Sequence, residues 1–232
     1  MRLLLATAAG HRSDACAPPP ARSPHPGIAT RTSLTISVVV LVIAIAIGVP
    51  LGAISGFFGG WVDEVIMRVT DIFLTVPALL LAMAMAAALG SGIINAMIAI
   101  ALVWWPGYAR LTRGAVLSLR EREFIEATRA LGGGKWHTIV RHIFPNIISP
   151  VIVKASMDIG FAILIAAGLG YIGVGVQEPT PEWGAMISEG RGLLREAWWV
   201  SVFPGIAMFI TVLGFNLLGD GLRDVLDPKS RR

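Results

Sequence analysis

Apolar residues run along this chain in blocks of membrane-crossing length. A helix spanning roughly 30 Å of hydrocarbon needs about 20 mostly apolar residues. No charge occurs from Thr32 to Val62, and LTISVVVLVIAIAIGVPLGAI predicts a first span over about 34–54. Between Asp71 and Arg110 lie 38 uncharged residues, too many for one crossing. The turn signal at Gly90–Gly92, followed by Asn95, divides them into spans of about 72–90 and 92–109. A fourth span is expected over about 149–172 and a fifth over about 197–219. The predicted fold class is thus all-α, a polytopic helix bundle in which each span closes its own backbone hydrogen bonds because lipid offers none. Glycines and prolines inside the spans (Pro77, Pro106, Gly160, Gly168, Pro204, Gly205) are expected to serve close packing and kinks.

Two stretches break this pattern. From Ser118 to Pro145 the chain is polar and amphipathic. Ser118 and Glu121 have capping-box spacing, and Phe124, Ala127, Thr128 and Leu131 form a mildly apolar helical stripe. Glu126 lies opposite it, within reach of Arg122 or Arg129. Gly132–Gly134 predicts the helix end. A second helix is expected from Lys135, with Trp136, Ile139, Val140, Ile143 and Phe144 on its apolar face, before Pro145 and Pro150 return the chain to the membrane. The other stretch, 173–197, predicts a short helix near 184–196.

Composition supports lipid as the solvent: 55% hydrophobic, 15% charged, mean hydropathy +0.72. The net charge of +4 is better read through the positive-inside rule than as a nucleic-acid footprint. Segment 110–145 holds seven Lys/Arg against three Glu, and the tail 220–232 holds four more basic residues. Loop 173–197 has two Arg beside four Glu. The first two are therefore expected in the cytoplasm and the last outside, with Trp183, Trp198 and Trp199 forming an outer aromatic belt. Loop 55–71 then becomes cytoplasmic and the N-terminus external, against the pull of Arg2, Arg12, Arg22 and Arg31.

Little points to chemistry within the chain. LGGGKW has Arg129 and Trp136 where a phosphate loop needs Gly and Ser/Thr, which disfavours nucleotide binding there. His137 and His142 stand about 140° apart on an ideal helix and do not converge on a metal. Single Cys16 excludes an internal disulfide. Lys154 and Asp158, four apart in the fourth span, are expected to neutralise each other, as a structural pair or as part of a pathway. Asn95 and Asn216 are expected to bridge helices. A DNA-binding helix–turn–helix at 118–145 is disfavoured because flanking spans tether it to the bilayer. An interfacial helix pair remains as a second reading, with the chain a membrane-embedded scaffold.

One resemblance sharpens the central segment. Glu126-Ala127-Thr128, then Gly132, then Ile143-Phe144-Pro145 resembles the EAA loop of binding-protein-dependent ABC importer permeases, with Thr128 for the second alanine and Phe144 for leucine. GGWVDEVIMR (59–68), WPGYARLTRG (105–114), LSLREREFIEATRALG (117–132), PTPEWGAM (179–186) and FNLLGDGLRDVLDP (215–228) are similar to the second permease subunit of the peptide/nickel group. The resemblance covers residues 29–232 and implies a type I ABC importer permease in the bacterial inner membrane. Glu126, Ala127, Thr128, Gly132, Gly133 and Pro145 would belong to a loop seated on a cytoplasmic ATPase. The implied partners are a homologous permease, two ATP-binding subunits and an extracytoplasmic binding protein that meets loop 173–197. The chain itself would need no cofactor and act as no enzyme. The family usually has six spans, whereas residues 1–28 match neither its first span nor the segment after it. Their Pro/Ala/Arg-rich composition is expected to be disordered, or to reflect an upstream frameshift or misplaced start.

Overall fold

The computed structural model describes residues 26–132, 134–176 and 180–226, so the reading of residues 1–25 and of Gly133 falls outside them. Every regular element among the described residues is helical. In chain order the α-helices are α1 (Pro26–Phe58), α2 (Gly60–Thr75), α3 (Ala78–Leu89), α4 (Ile93–Arg120), α5 (Glu123–Ala130), α6 (Lys135–Thr138), α7 (Phe144–Ile172), α8 (Trp183–Gly190) and α9 (Trp199–Leu226), with a π turn at Ile139–Ile143 and a 3-10 turn at Arg191–Leu193.

Among the described residues four helical stretches are long and apolar enough to cross a membrane: α1, α4, the continuous rod Lys135–Ile172, and α9. The expected straight span at 72–90 is not there. The segment 55–71, expected as a loop, is largely helical as α2, and α2 meets α3 at a 94° bend. Val76 lies extended (φ −90°, ψ 134°) because the ring of Pro77 disfavours helical geometry in the residue before it. The 12 residues of α3 reach only about 18 Å, too short for a full crossing. Counting the bent pair as one broken span gives five.

Helix α1 lies along α4 with both running the same way: Gly48 faces Trp105 and Tyr108, Gly52 faces Ala109 and Thr112, and Gly56 faces Arg113 and Val116. Glycines one turn apart let the two backbones approach, which substitutes for the hydrophobic drive that lipid does not provide. Near the end where α1 and α4 finish, Val49, Ala53 and Phe57 pack with Tyr108, Val116, Ile139, Ile143 and Ile147. Near the other end, Ile36 and Val40 pack with Ala82, Ala86, Ile100 and Leu169. Helix α7 runs back antiparallel, and α9 returns along it with Gly160 against Val212 and Gly219 against Met157. Otherwise α9 shows most of its apolar side chains outward, among them Phe203, Phe209, Ile210 and Leu217.

The rod Lys135–Ile172 corrects another expectation. Pro145 and Pro150 lie inside it and do not separate a loop helix from a span. A π turn at Ile139–Ile143, in which the Phe144 N–H donates to the Ile139 carbonyl, directly precedes Pro145. Proline has no N–H and crowds the carbonyl four residues back; a widened turn relieves both. The same turn changes the ideal-helix spacing of the histidines: the rings of His137 and His142 are 5.8 Å apart.

Candidate functional site

At the end of the bundle where α1 and α4 finish, the chain between α4 and α7 forms a knob. Helix α4 continues past Ser118, whose hydroxyl donates to the Gly114 carbonyl within the helix, so the expected capping box does not form. Helix α5 then turns across the bundle end. Among its described side chains the fully buried one is Ile125, which packs with Ile139 and Ile143. Removing one such side chain from water is worth about 1.5–3 kcal/mol.

The expected apolar stripe therefore faces outward. Phe124 and Ala127 are exposed, Leu131 is 89% exposed, and only Thr128 is half-buried, with its hydroxyl on the Phe124 carbonyl. Trp136 is 62% exposed, and Val140 and Phe144 are open as well. Trp136 meets the edge of Phe58, and the Lys135 ammonium stands 5.7 Å over that same ring. Glu126 is exposed and makes no ion pair among the described residues. Gly132 ends the helix at φ +79°, and Pro145 is exposed on the rod. Glu126, Ala127 and Gly132 thus share one outward knob with a band of uncovered aromatic and aliphatic side chains.

Two ion pairs fasten α2 beside this knob, and neither partner was evident from the sequence. Arg113 grips Asp63 with two hydrogen bonds, Nε to Oδ1 at 2.5 Å and a second guanidinium nitrogen to Oδ2 at 2.6 Å. Ser55 donates to the same carboxylate at 2.5 Å. Arg110 pairs with Asp71 in a more exposed setting, and Arg120 donates to the Gly56 carbonyl. An exposed pair contributes about 0–1 kcal/mol, whereas breaking a buried one costs about 3–5 kcal/mol. The Asp63 pair lies between these settings. Arg113→Ala is expected to lower stability by on the order of 2 kcal/mol. A thermal double-mutant cycle with Asp63→Ala, in detergent, checks this. Simple additivity of the two losses would show the residues to be uncoupled.

Lys154 and Asp158 do pair, at 3.0 Å, with the Lys154 ammonium 5.4 Å from the Tyr108 ring. Asn95 spans a turn, donating to the Leu89 and Gly90 carbonyls, while Asn216 donates within its own helix to Val212, so its expected bridging bond is not made.

At the opposite end, α8 is wedged into the bundle and not laid on its surface. Gly184 abuts the Ala167 backbone, and Trp183, expected in an aromatic belt, is buried. Glu182 caps α8 by accepting from the Ala185 N–H, and its other oxygen accepts from Ser33 on α1 at 3.4 Å. Burial raises the Glu182 carboxyl above its ordinary value of 4.5, with the backbone and Ser33 hydrogen bonds opposing the shift. An acid held more tightly protonated in the fold stabilises most below its unfolded pKa, and this contribution is lost as pH rises through the folded value. Glu182→Gln keeps an acceptor for the cap and cannot ionise. Melting temperatures from pH 4 to 8 are expected to fall with rising pH more steeply in the parent than in this variant.

Comparison with known proteins agrees with this arrangement. Residues 48–232 match the family described as binding-protein-dependent transport system inner membrane component. The probable D,D-dipeptide transport system permease protein DdpC of Escherichia coli is 51% identical over 183 residues, covering 79% of this chain and 61% of that protein. The dipeptide transport system permease protein DppC of Alkalihalophilus pseudofirmus is 47% identical over 201 residues, covering 87% and 66%. The glutathione transport system permease protein GsiD of Pectobacterium atrosepticum is 45% identical over 202 residues, covering 87% and 67%. The chain thus spans 61% of the first of these relatives and 67% of the third. In fold it is similar to a chain of the MetNI methionine ABC transporter in an inward-facing conformation, at a TM-score of 0.72 and 18% identity, covering 88% of this chain and 99% of that one. A match over residues 48–232, on a bundle of this shape, places the chain in the binding-protein-dependent transport system inner membrane component family.

Proposed function

We propose that this chain is a permease subunit of an ATP-driven importer of dipeptides and short oligopeptides. It works in the inner membrane beside a homologous permease, two cytoplasmic ATP-binding subunits and an extracytoplasmic binding protein. The observation that carries this is the knob. A short helix anchored by Ile125 turns Phe124, Leu131, Trp136 and Val140 away from its own bundle, next to Gly132. Uncovered side chains of this kind mark a contact with a protein or a membrane, and the family resemblance of this loop favours a protein. Relatives named as dipeptide and glutathione permeases support the substrate class.

ATP binds in the partners and moves the knob as they close. Because α5 sits on Ile139 and Ile143 of the rod, that motion reaches α7 directly. The packed α1–α4 pair moves as a rigid body, and the bundle alternates between outward-open and inward-open arrangements.

The test is reconstitution with the neighbouring permease and ATPase genes. Purification through a tag on this chain is expected to bring down the ATPase, and vesicles holding the complex should accumulate dipeptide only with ATP. Replacing Glu126 with Arg should weaken co-purification. Uptake by the purified chain without any ATPase would overturn the reading.

A further inference from the structure

The charged pair of α7 opens onto a cleft of about 580 Å³ between α4, α7 and the last turn of α9. Its wall is mostly apolar, with Leu111, Val153, Met157 and Phe161, and its charges are Lys154, Asp158 and Arg223. The volume falls within the range of about 300–1,000 Å³ usual for small-molecule sites. Tyr108 sits beneath the Lys154 ammonium and near the Asp158 carboxylate, yet its buried hydroxyl closes no hydrogen bond of regular geometry. The Asp158 side chain is 10% exposed and that of Lys154 is 33% exposed, so a solute in the cleft can reach both.

A free peptide brings two charges of its own into this apolar setting. A charge inside the bilayer is costly unless an opposite charge meets it. Residues four apart on a helix are displaced by about 6 Å along its axis. The α-ammonium and α-carboxylate of an extended dipeptide are a similar distance apart, since each residue spans about 3.3–3.6 Å.

We infer that the Lys154–Asp158 face of α7 is a subsite for the termini of short peptides: Asp158 takes the α-ammonium and Lys154 the α-carboxylate. The inference rests on the importer reading above and names the part of the bundle that handles its substrate. When empty, the two side chains neutralise each other at 3.0 Å. When filled, they exchange that bond for two with the solute, and the net charge of the cleft is unchanged. Arg223, toward the knob end of the cleft, offers a second cation to a carboxylate on its way through. Side chains of the peptide meet only the apolar wall, so the subsite reads backbone termini and tolerates varied sequences.

The test uses the complete reconstituted transporter and a panel of Ala-Ala, Ala-Ala-Ala and glutathione. Asp158→Asn and Lys154→Met are each expected to cut uptake at least tenfold while the complex still assembles and hydrolyses ATP at the basal rate; each lowers the melting temperature, since it leaves one half of the pair unmet. The decisive variant combines Lys154→Asp with Asp158→Lys. It restores the ion pair with its polarity reversed, so a purely structural pair would recover uptake and a peptide subsite would not. Lys154→Arg with Asp158→Glu keeps the polarity; it should retain uptake with an altered KM, and it serves as the readout if the neutral variants fail to assemble. Recovery of uptake in the reversed pair, or parental uptake by either neutral variant, overturns the subsite alone. A parent complex that takes up nothing from the panel overturns the importer reading and the subsite with it.

Discussion

Gly52→Leu is expected to leave no folded chain in the membrane. A Cβ at this position would lie within van der Waals overlap of the Ala109 carbonyl oxygen, 2.8 Å from Thr112 Cβ and 3.0 Å from the Ala109 carbonyl carbon. Two of these three are backbone atoms of a helix, which cannot swing aside as a side-chain tip can. Helix α1 must back away from α4, and the glycine stripe then loses its contacts with Trp105, Tyr108 and Val116 together. Overpacking costs about 1–3 kcal/mol where a core can adjust, and here the adjustment is the loss of the central helix pair. Total stability is only about 5–15 kcal/mol. Accumulation in membranes and melting in detergent are therefore expected to worsen as the replacement for Gly52 grows from Ala through Val to Leu. Gly114→Ala is the control: it lies in α4 with nothing within 4 Å of the added carbon, and should be neutral or raise stability by about 0.5–1 kcal/mol. A Gly52→Leu protein that melts like the parent would show that α1 and α4 do not touch along this stripe.

That stripe also marks where the sequence was readable and where it was not. The spacing of Gly48, Gly52 and Gly56 is visible in the chain, but it carries no information on which helix receives it, and the expected packing glycines included none of the three. Long apolar blocks located the spans well because lipid length fixes them, as with α1 and α4. The bend at Val76–Pro77 was hidden because the whole segment is apolar; only the local geometry of the residue before proline separates α3 from α2. Asp63 and Arg113 lie 50 positions apart, and their pairing is a tertiary fact that neither motif announces. In the knob, periodicity found the apolar stripe of α5 but not the direction it faces. The reason is physical: Ile125 anchors this eight-residue helix, which leaves Phe124 and Leu131 for another surface. The left-handed turn at Gly132 was legible from composition because almost nothing else adopts that conformation freely.

Gly132→Asp is expected to abolish uptake while the chain still folds and inserts. The position has φ +79°, and among the described residues nothing lies within 4 Å of where a Cβ would stand. A left-handed non-glycine residue costs about 1–2 kcal/mol, and aspartate and asparagine bear it better than most. This loss is small beside the stability of the bundle, and the substitution collides with none of the described residues. Any large effect must then come from a surface outside the chain. A series separates the two causes. If glycine serves only the turn, Asn should restore most uptake and Ala should be worse than Asn, following left-handed preference. If it serves close approach by the ATPase, Ala should be mildest, Asn worse, and Asp worst by its added charge. Melting temperatures should vary little across the series under either cause. The importer reading predicts the second order, with ATPase co-purification and dipeptide uptake falling together. Uptake at the parental level in all three variants would remove Gly132 from the contact and leave the knob without its closest point of approach.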